Sequence, residues 1–326
     1  MEFPANVPQH PCSVDHLNQF YGLPVLTFPQ ASSDRPLPAD PASVAWRMQS
    51  GLYVGDEEPD DYWGRFTETV PLEEVRALVI GSAWYGSDGW PYEIVEVIAE
   101  LSHRLTGLEA LFLGDVHFEE SEISWMGQSD VAPVLEAYPR LRELGVRGGD
   151  GLEFPVVRHE GLRTLRFESG GLPASVVRNV AASDLPSLEC LELWLGDEYY
   201  GCDTTMEDLQ PLLTGERLPS LRHLGLQNSQ FQDEIAAAVA HAPVVARLAS
   251  LRLSMGALGD EGAAALLGGQ PLTHLRALDL HHHYLGDAMM LRVREALEPA
   301  GVWVDLSEQE KDDEEDEGTR YVAVAE

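Results

Sequence analysis

The sequence has a single lysine, Lys311, among 21 basic residues, and these face 55 acidic ones. A chain of formal net charge -34 repels phosphate backbones and anionic lipid, so neither nucleic acid nor a membrane surface is expected as a partner. The acidity itself reads as a solubility device, or as attraction for a basic partner or for cations. Cysteine is scarce too: Cys12, Cys190 and Cys202 are odd in number and never spaced CxxC. That excludes a disulfide frame or a zinc cage and fits reduced thiols. No apolar run approaches the roughly 18 residues of a membrane span. The opening MEFPANVPQHPCSVDHL lacks the positive and apolar regions of a signal peptide, so a cytoplasmic location is expected.

What is abundant is leucine at fixed intervals. The pattern L-x-x-L-x-L appears at Leu108-Leu111-Leu113, Leu141-Leu144-Val146, Leu162-Leu165-Phe167 and Leu188-Leu191-Leu193. It continues at Leu221-Leu224-Leu226, Leu248-Leu251-Leu253 and Leu275-Leu278-Leu280. Val75-Leu78-Ile80 precedes these, Val304-Leu306 trails them, and Val44 to Met48 around Trp46 forms a weaker opening strand. From Leu78 to Val304 the steps are 33, 33, 21, 26, 33, 27, 27 and 26 residues. Each L-x-L predicts a short parallel strand with its leucines turned inward. The stretches 92–105, 233–248 and 287–297 show the three- and four-residue spacing of amphipathic helices. Asp233, Asp260 and Asp287 stand where an acid helps the first helical turn. One unit buries too little to repay its own ordering, so neighbours must share faces. The expected fold is an α/β solenoid, a horseshoe of about nine to ten repeats with a parallel inner sheet and outer helices.

Runs such as LRLSMGALGDEGAAALL resemble ribonuclease-inhibitor-type leucine-rich repeats. More narrowly, HLNQFYGLPVLTFP, EISWMGQSDVAPVL, ELGVRGGDGLEFPVVRHEGLRTLRFESGGLP, LDLHHHYL and the final RYVAVAE resemble an uncharacterised actinobacterial family of leucine-rich-repeat proteins. The resemblance implies a fold and no reaction. It also suggests, by association only, partners among products of neighbouring radical-SAM or ATP-grasp-like genes. One departure from the general repeat is clear. The usual inward Asn would fall at Val116, Gly149, Gly170, Gly196, Ser229, Gly256 and His283, and none is Asn, so other groups must satisfy those loop carbonyls.

The register places two columns on the concave face. The first runs Arg47, Val79, Phe112, Gly145, Arg166, Glu192, Gly225, Arg252, Asp279 and Asp305. The second runs Gln49, Gly81, Gly114, Arg147, Glu168, Trp194, Gln227, Ser254, His281 and Ser307. Arg166 should meet Glu192, Arg252 should meet Asp279, and Arg147 should meet Glu168. Such a solvent-facing lattice is either structural decoration or a polar recognition surface for a protein or peptide. The partner-binding set is then Phe112, Arg147, Arg166, Glu168, Glu192, Trp194, His223, Gln227, Arg252, Asp279, His281 and Asp305. Trp194 and Phe112 can each pack under a loop or anchor a contact.

In the histidine triplet, alternation sends only His281 to the concave side, beside Asp279 and Asp305, while His283 occupies the inward Asn slot. No H-x-x-x-H framework supports a metal there, and turn packing is the simpler account. Cys190 and His223 share a column on adjacent strands, as a thiolate–imidazole pair would, although an open face supplies no oxyanion hole. No cofactor or catalytic residue is expected. The glycine turns 147–151 and 168–173 lack a phosphate-loop pattern, and the acidic loop 197–208 lacks the order of a calcium loop. Residues 1–40 read as an N-terminal capping segment and 41–307 as the solenoid. Residues 308–318 read as an acidic disordered linker and 319–326 as a C-terminal capping strand on the last solenoid edge. The reading is a non-catalytic interaction scaffold; the alternative is a metal- or thiol-dependent enzyme, or an accessory that presents a substrate to a modification pathway.

Overall fold

The computed structural model describes residues 14–50, 57–82, 92–311 and 319–325. Cys12, the first residues of the expected N-terminal cap and most of the acidic linker lie outside them. Twelve strands form one sheet in sequence order: β1 Gln19–Phe20, β2 Leu23–Thr27, β3 Ala45–Met48, β4 Ala77–Gly81, β5 Ala110–Asp115, β6 Glu143–Arg147, β7 Thr164–Glu168, β8 Cys190–Gly196, β9 His223–Ser229, β10 Ser250–Arg252, β11 Ala277–Asp279 and β12 Trp303–Asp305. From β2 onward every neighbouring pair is parallel.

The leucine rungs are in the expected phase. Leu111, Leu144, Leu165, Leu191, Leu224, Leu251 and Leu278 are fully buried and lie in register across the sheet. They join one core that extends from Val14 to Val324. Return segments carry α1 Pro59–Thr69, α2 Tyr92–Glu100, α3 Ala132–Ala137, α4 Ala174–Ala182, α5 Met206–Thr214, α6 Gln232–Val239, α7 Asp260–Gly268 and α8 Asp287–Leu297. The 21-residue step from β6 to β7 has no helix. The helix expected over 233–248 is broken: α6 stops before Pro243, and 3-10 turns complete the stretch over Pro243–Arg247.

The helix-start aspartates work between repeats. Asp233 Oδ1 accepts from the amides of Gly259 (2.7 Å) and Gly262 (3.2 Å), which open α7. Asp260 Oδ1 accepts from Gly286 at the start of α8 (2.9 Å), and Asp203 accepts from Ala174 at the start of α4 (2.6 Å). Each cap therefore welds two repeats as well as satisfying helix-end amides. The missing Asn ladder is replaced by Gln128 to Arg147 O (2.6 Å), Gln232 to Leu226 O (2.9 Å) and His283 Nε2 to Leu306 O (3.3 Å).

Both ends differ from expectation. The N-terminal segment is part of the sheet: β1 and β2 form a hairpin whose turn residues, Tyr21 (φ 53°) and Gly22 (φ 69°), are both left-handed, as a two-residue hairpin favours. The hairpin folds over the inner face, where Phe20 packs with Ala45, Ala77, Val79, Ala110 and Phe112. Residues 319–325 form no strand, and Thr319 alone among them holds an isolated β-bridge. They run back over the loops after β11, β10 and β7 and over the end of β9. Tyr321 exchanges hydrogen bonds with the Tyr284 hydroxyl (2.9 and 3.0 Å), and Ala323 N donates to Met255 O (2.8 Å). Asn228 takes Val324 N on its Oδ1 (3.0 Å) and donates its amide to Val324 O.

That strap meets a recurring backbone feature. Gly148, Asn228, Met255, His282 and Glu308 hold the same repeat position, two residues past the last rung, and all have positive φ. Four of these are not glycine, a conformation that costs about 1–2 kcal/mol per residue. Asn228, Met255 and His282 are the ones the strap engages, so its contacts help hold the strained turns.

Candidate functional site: the inner face and its rim

The sheet register brings the two columns together as the spacing predicts, with one exception. A bulge after Ile80 sets Gly81 opposite Asp115, and not opposite Gly114. Gly114 adopts φ 88°, which lets Asp115 take the inward place. Asp115 was absent from the expected columns, and it extends the charge lattice toward the N-terminus.

The result is a chain of ion pairs across nine strands, β3 to β11. Arg47 reaches Asp115 (2.6 Å), and Asp115 faces Arg147 (3.9 Å). Arg147 pairs with Glu168 (2.8 Å), which also meets Arg166 (3.4 Å). Arg166 pairs with Glu192 (3.1 Å), Glu192 with Arg252 (3.0 Å), and Arg252 lies 3.7 Å from Asp279. Asp279 accepts from His281 Nδ1 at 2.7 Å. The three expected lateral pairs are all present.

Their environment is the correction. The lattice was expected to face solvent, yet Arg166 is 3% exposed, Glu192 1%, Arg252 2% and Glu168 fully buried. Phe112, Arg147, Trp194, Gln227, Asp279 and His281 are buried as well; His223 and Asp305 keep partial exposure. Four guanidinium groups meet Asp115, Glu168, Glu192 and Asp279, with Glu143 a fifth carboxyl 3.8 Å from Arg166, so the face comes near to neutralising itself inside a strongly acidic molecule. Desolvation opposes the Arg166 charge, but Glu192, Glu168 and Glu143 hold its pKa above the ordinary value. Burial also raises Glu143, above the usual carboxylate range and so toward its neutral form. Phe112 is a packing residue: Phe20 lies edge-on at 5.9 Å and the Arg147 guanidinium stands 5.4 Å from the ring centre.

Sequence reasoning also missed the arm that closes the lattice. His16 joins Asp115 (3.6 Å) to Glu120 (3.2 Å), and Leu17 N donates to Asp115 Oδ1 (2.9 Å). Hydrogen bonds to Asp115 and Glu120 raise the His16 pKa to about 9. Burial disfavours ionised Asp115, but His16, Arg47 and Arg147 together hold it below its usual value. A lone histidine near the N-terminus gave no periodic signal.

Cys190 and His223 are register partners, as expected. Their chemistry is unsuited to nucleophilic attack. Burial pushes the Cys190 thiol far above its ordinary pKa and pulls His223 below its own, while His223 Nδ1 engages Ser250 Oγ at 2.7 Å. Activation requires the opposite shift at the thiol. In the triplet, His281 faces inward, His282 turns toward Tyr321 O (3.3 Å), and His283 is buried in the Asn slot with Nδ1 accepting from Leu285 N (3.1 Å). At His281 burial opposes protonation, but the Asp279 hydrogen bond, Asp305 and Glu308 keep its pKa raised. In the acidic loop 197–208, Asp197 caps Tyr199 N (2.8 Å), and Thr205 and Asp208 form a capping box for α5.

The exposed aromatic surface lies elsewhere. In a parallel sheet every strand's following loop leaves at the same edge. That rim carries Phe118 and Trp125 after β5 and Tyr199 after β8, with Tyr321 strapped to the loop after β11. Trp125 is 75% exposed and Tyr199 85%. Close backbone packing stiffens the rim between them: a Cβ on Gly170 or Gly196 would collide with Ala325 O or Gly170 O. No helix of the described residues is long and apolar enough to cross a membrane.

A family model described as "Leucine Rich repeat" matches residues 248–267. A solved structure of a protein from Bacteroides fragilis is 31% identical, covers 82% of this chain and 76% of its own, and superposes with a TM-score of 0.73. None of the curated proteins matches this chain.

Proposed function

Because this chain belongs to the leucine-rich-repeat proteins, we propose that it is a non-catalytic interaction scaffold for a protein or peptide, held on the inner side of the sheet at its aromatic rim. Within them we place it in the actinobacterial family that its loops and terminal run resemble, acting in the cytoplasm. The observation that supports this reading most is the exposure of Phe118, Trp125, Tyr199 and Tyr321 along one edge. Large rigid aromatics are costly to leave in water and are the usual anchors of protein interfaces. The ion-pair lattice behind them supplies a stiff, neutral support. His223, Asp305 and Trp303 are among the inner-face groups with partial exposure that a partner can still touch. A chain of charge -34 makes a basic partner surface the complementary one and disfavours nucleic acid and membrane. Products of neighbouring modification-pathway genes are the first partners to test. With such a partner in hand, Trp125→Ala/Tyr199→Ala should weaken binding at least tenfold with the melting temperature unchanged, while Leu291→Ala on α8 should not. Equal affinity of the rim variant and wild type would refute the assignment.

A further inference from the structure

Residues 319–325 are held the way a receptor holds a peptide, by bonds to their main chain. The Tyr284 hydroxyl accepts from Tyr321 N (2.9 Å) and donates to Tyr321 O (3.0 Å). Met255 O accepts from Ala323 N at 2.8 Å. Asn228 clasps Val324 with both ends of its amide, its Oδ1 taking Val324 N at 3.0 Å. These three groups stand on successive repeats, those of β11, β10 and β9. From Tyr321 to Val324, three extended residues span about 10 Å, the width of two strand spacings. An extended strap therefore meets one repeat after another.

Side chains alternate along it. Val322 and Val324 are buried, at 8% and 4% exposure, whereas Tyr321 is 53% exposed and Ala323 and Ala325 are half-buried. The solenoid also leaves the strap room. A Cβ on Gly170 would collide with Ala325 O and, Ala325 apart, would come no nearer than 3.4 Å, to Ile123. Gly170 does not have the positive φ that calls for glycine, so its missing side chain serves the strap and not a turn.

Main-chain bonds give affinity without reading sequence, and pockets for alternate side chains supply the selection. We propose that the groove across the ends of the β9, β10 and β11 repeats and the loop after β7 is a binding site for an extended segment of a partner protein. That segment carries valine or a similar β-branched side chain at two alternate positions, with small residues between, and residues 319–325 occupy the groove until it displaces them. A second copy of the chain is the weaker candidate, because two molecules of charge -34 repel each other. The strap's own docking is opposed in the same way, since it follows the acidic run DDEEDEG at 312–318. A partner segment without such a run meets less repulsion. The inference concerns the same rim but stands apart from the reading of Trp125 and Tyr199, which the variants below leave in place.

The experiment uses the full chain and a fluorescein-labelled peptide of residues 319–326, titrated by anisotropy. Val322→Asp/Val324→Asp should release the strap, and Ala323→Pro, which removes the amide bonded to Met255, should release it without added charge; both leave the solenoid's own residues unchanged. Each variant should bind the peptide with micromolar affinity, at least tenfold tighter than wild type, whose tethered strap competes for the groove. Adding Asn228→Gly to either variant should weaken the peptide at least fivefold, and a peptide with both valines replaced by aspartate should not bind. Folded strap variants that bind the peptide no tighter than wild type, or an affinity unmoved by Asn228→Gly, would overturn the proposal. A dimer held by exchanged straps, seen by light scattering, would overturn it in favour of a second copy as the occupant.

Discussion

Glu192 is the centre of the buried lattice, bridging Arg166 at 3.1 Å and Arg252 at 3.0 Å while 1% exposed. Glu192→Gln keeps the shape and removes the charge. Arg166 then retains Glu168 (3.4 Å) and Glu143 (3.8 Å), and Arg252 retains Asp279 at 3.7 Å. Breaking a buried pair from one side costs about 3–5 kcal/mol, because the surviving charge stays desolvated. Unfolding entropy of about 2.1 cal/mol/K per residue gives about 0.7 kcal/mol/K for 326 residues. The expected fall in melting temperature is therefore about 4–7 °C. Scanning calorimetry and urea denaturation read it directly. The matched control is Glu189→Gln, which breaks the half-exposed pair with Arg163 (3.4 Å) and should change stability by less than about 1 kcal/mol. If Glu192→Gln matches Glu189→Gln, the lattice is solvated and the description of the inner face as a closed, self-neutralised support is wrong.

Two further outcomes follow from the ends of the chain. His16 has a pKa raised from 6.5 to about 9, so its contribution to stability is complete below 6.5 and lost as pH rises through about 9. The gap in urea midpoint between wild type and His16→Ala should shrink steadily from pH 6 to pH 10; a gap that grows would contradict the pairing with Asp115 and Glu120. Asn228→Gly keeps the left-handed turn but removes both hydrogen bonds to Val324, at a cost of about 1–2 kcal/mol. Amide exchange should quicken at Ala323 and Val324 and stay unchanged in the central strands; unchanged exchange at Val324 would show that the strap is held by other means.

The solenoid was legible because period-two strands and leucine rungs are a one-dimensional code, and the register from Arg47 to Asp305 followed from it. Burial was not legible: alternation says which side of a sheet Arg166 faces, not how closely Glu143, Glu168 and Glu192 pack around it. The bulge at Gly81 likewise has no periodic trace, so Asp115 was missed although it links Arg47 to Arg147 in the lattice. Asn228 and the strap pair residues 96 apart, beyond any local pattern. The rim aromatics stand in irregular inserts, where neither helix nor strand spacing marks a side chain as exposed. His283 shows the opposite case, since its place in the repeat alone fixed both its burial and its bond to a loop carbonyl.

The rim assignment is tested most directly by a photo-crosslinking side chain placed, one at a time, at Trp125, Tyr199 and Leu291 in the full chain. Trp125 and Tyr199 should both yield covalent products with one and the same protein partner, and Leu291 on the outer helix should not. Products from Leu291 alone, or equal yields from all three positions, would contradict an interaction scaffold that works through its rim.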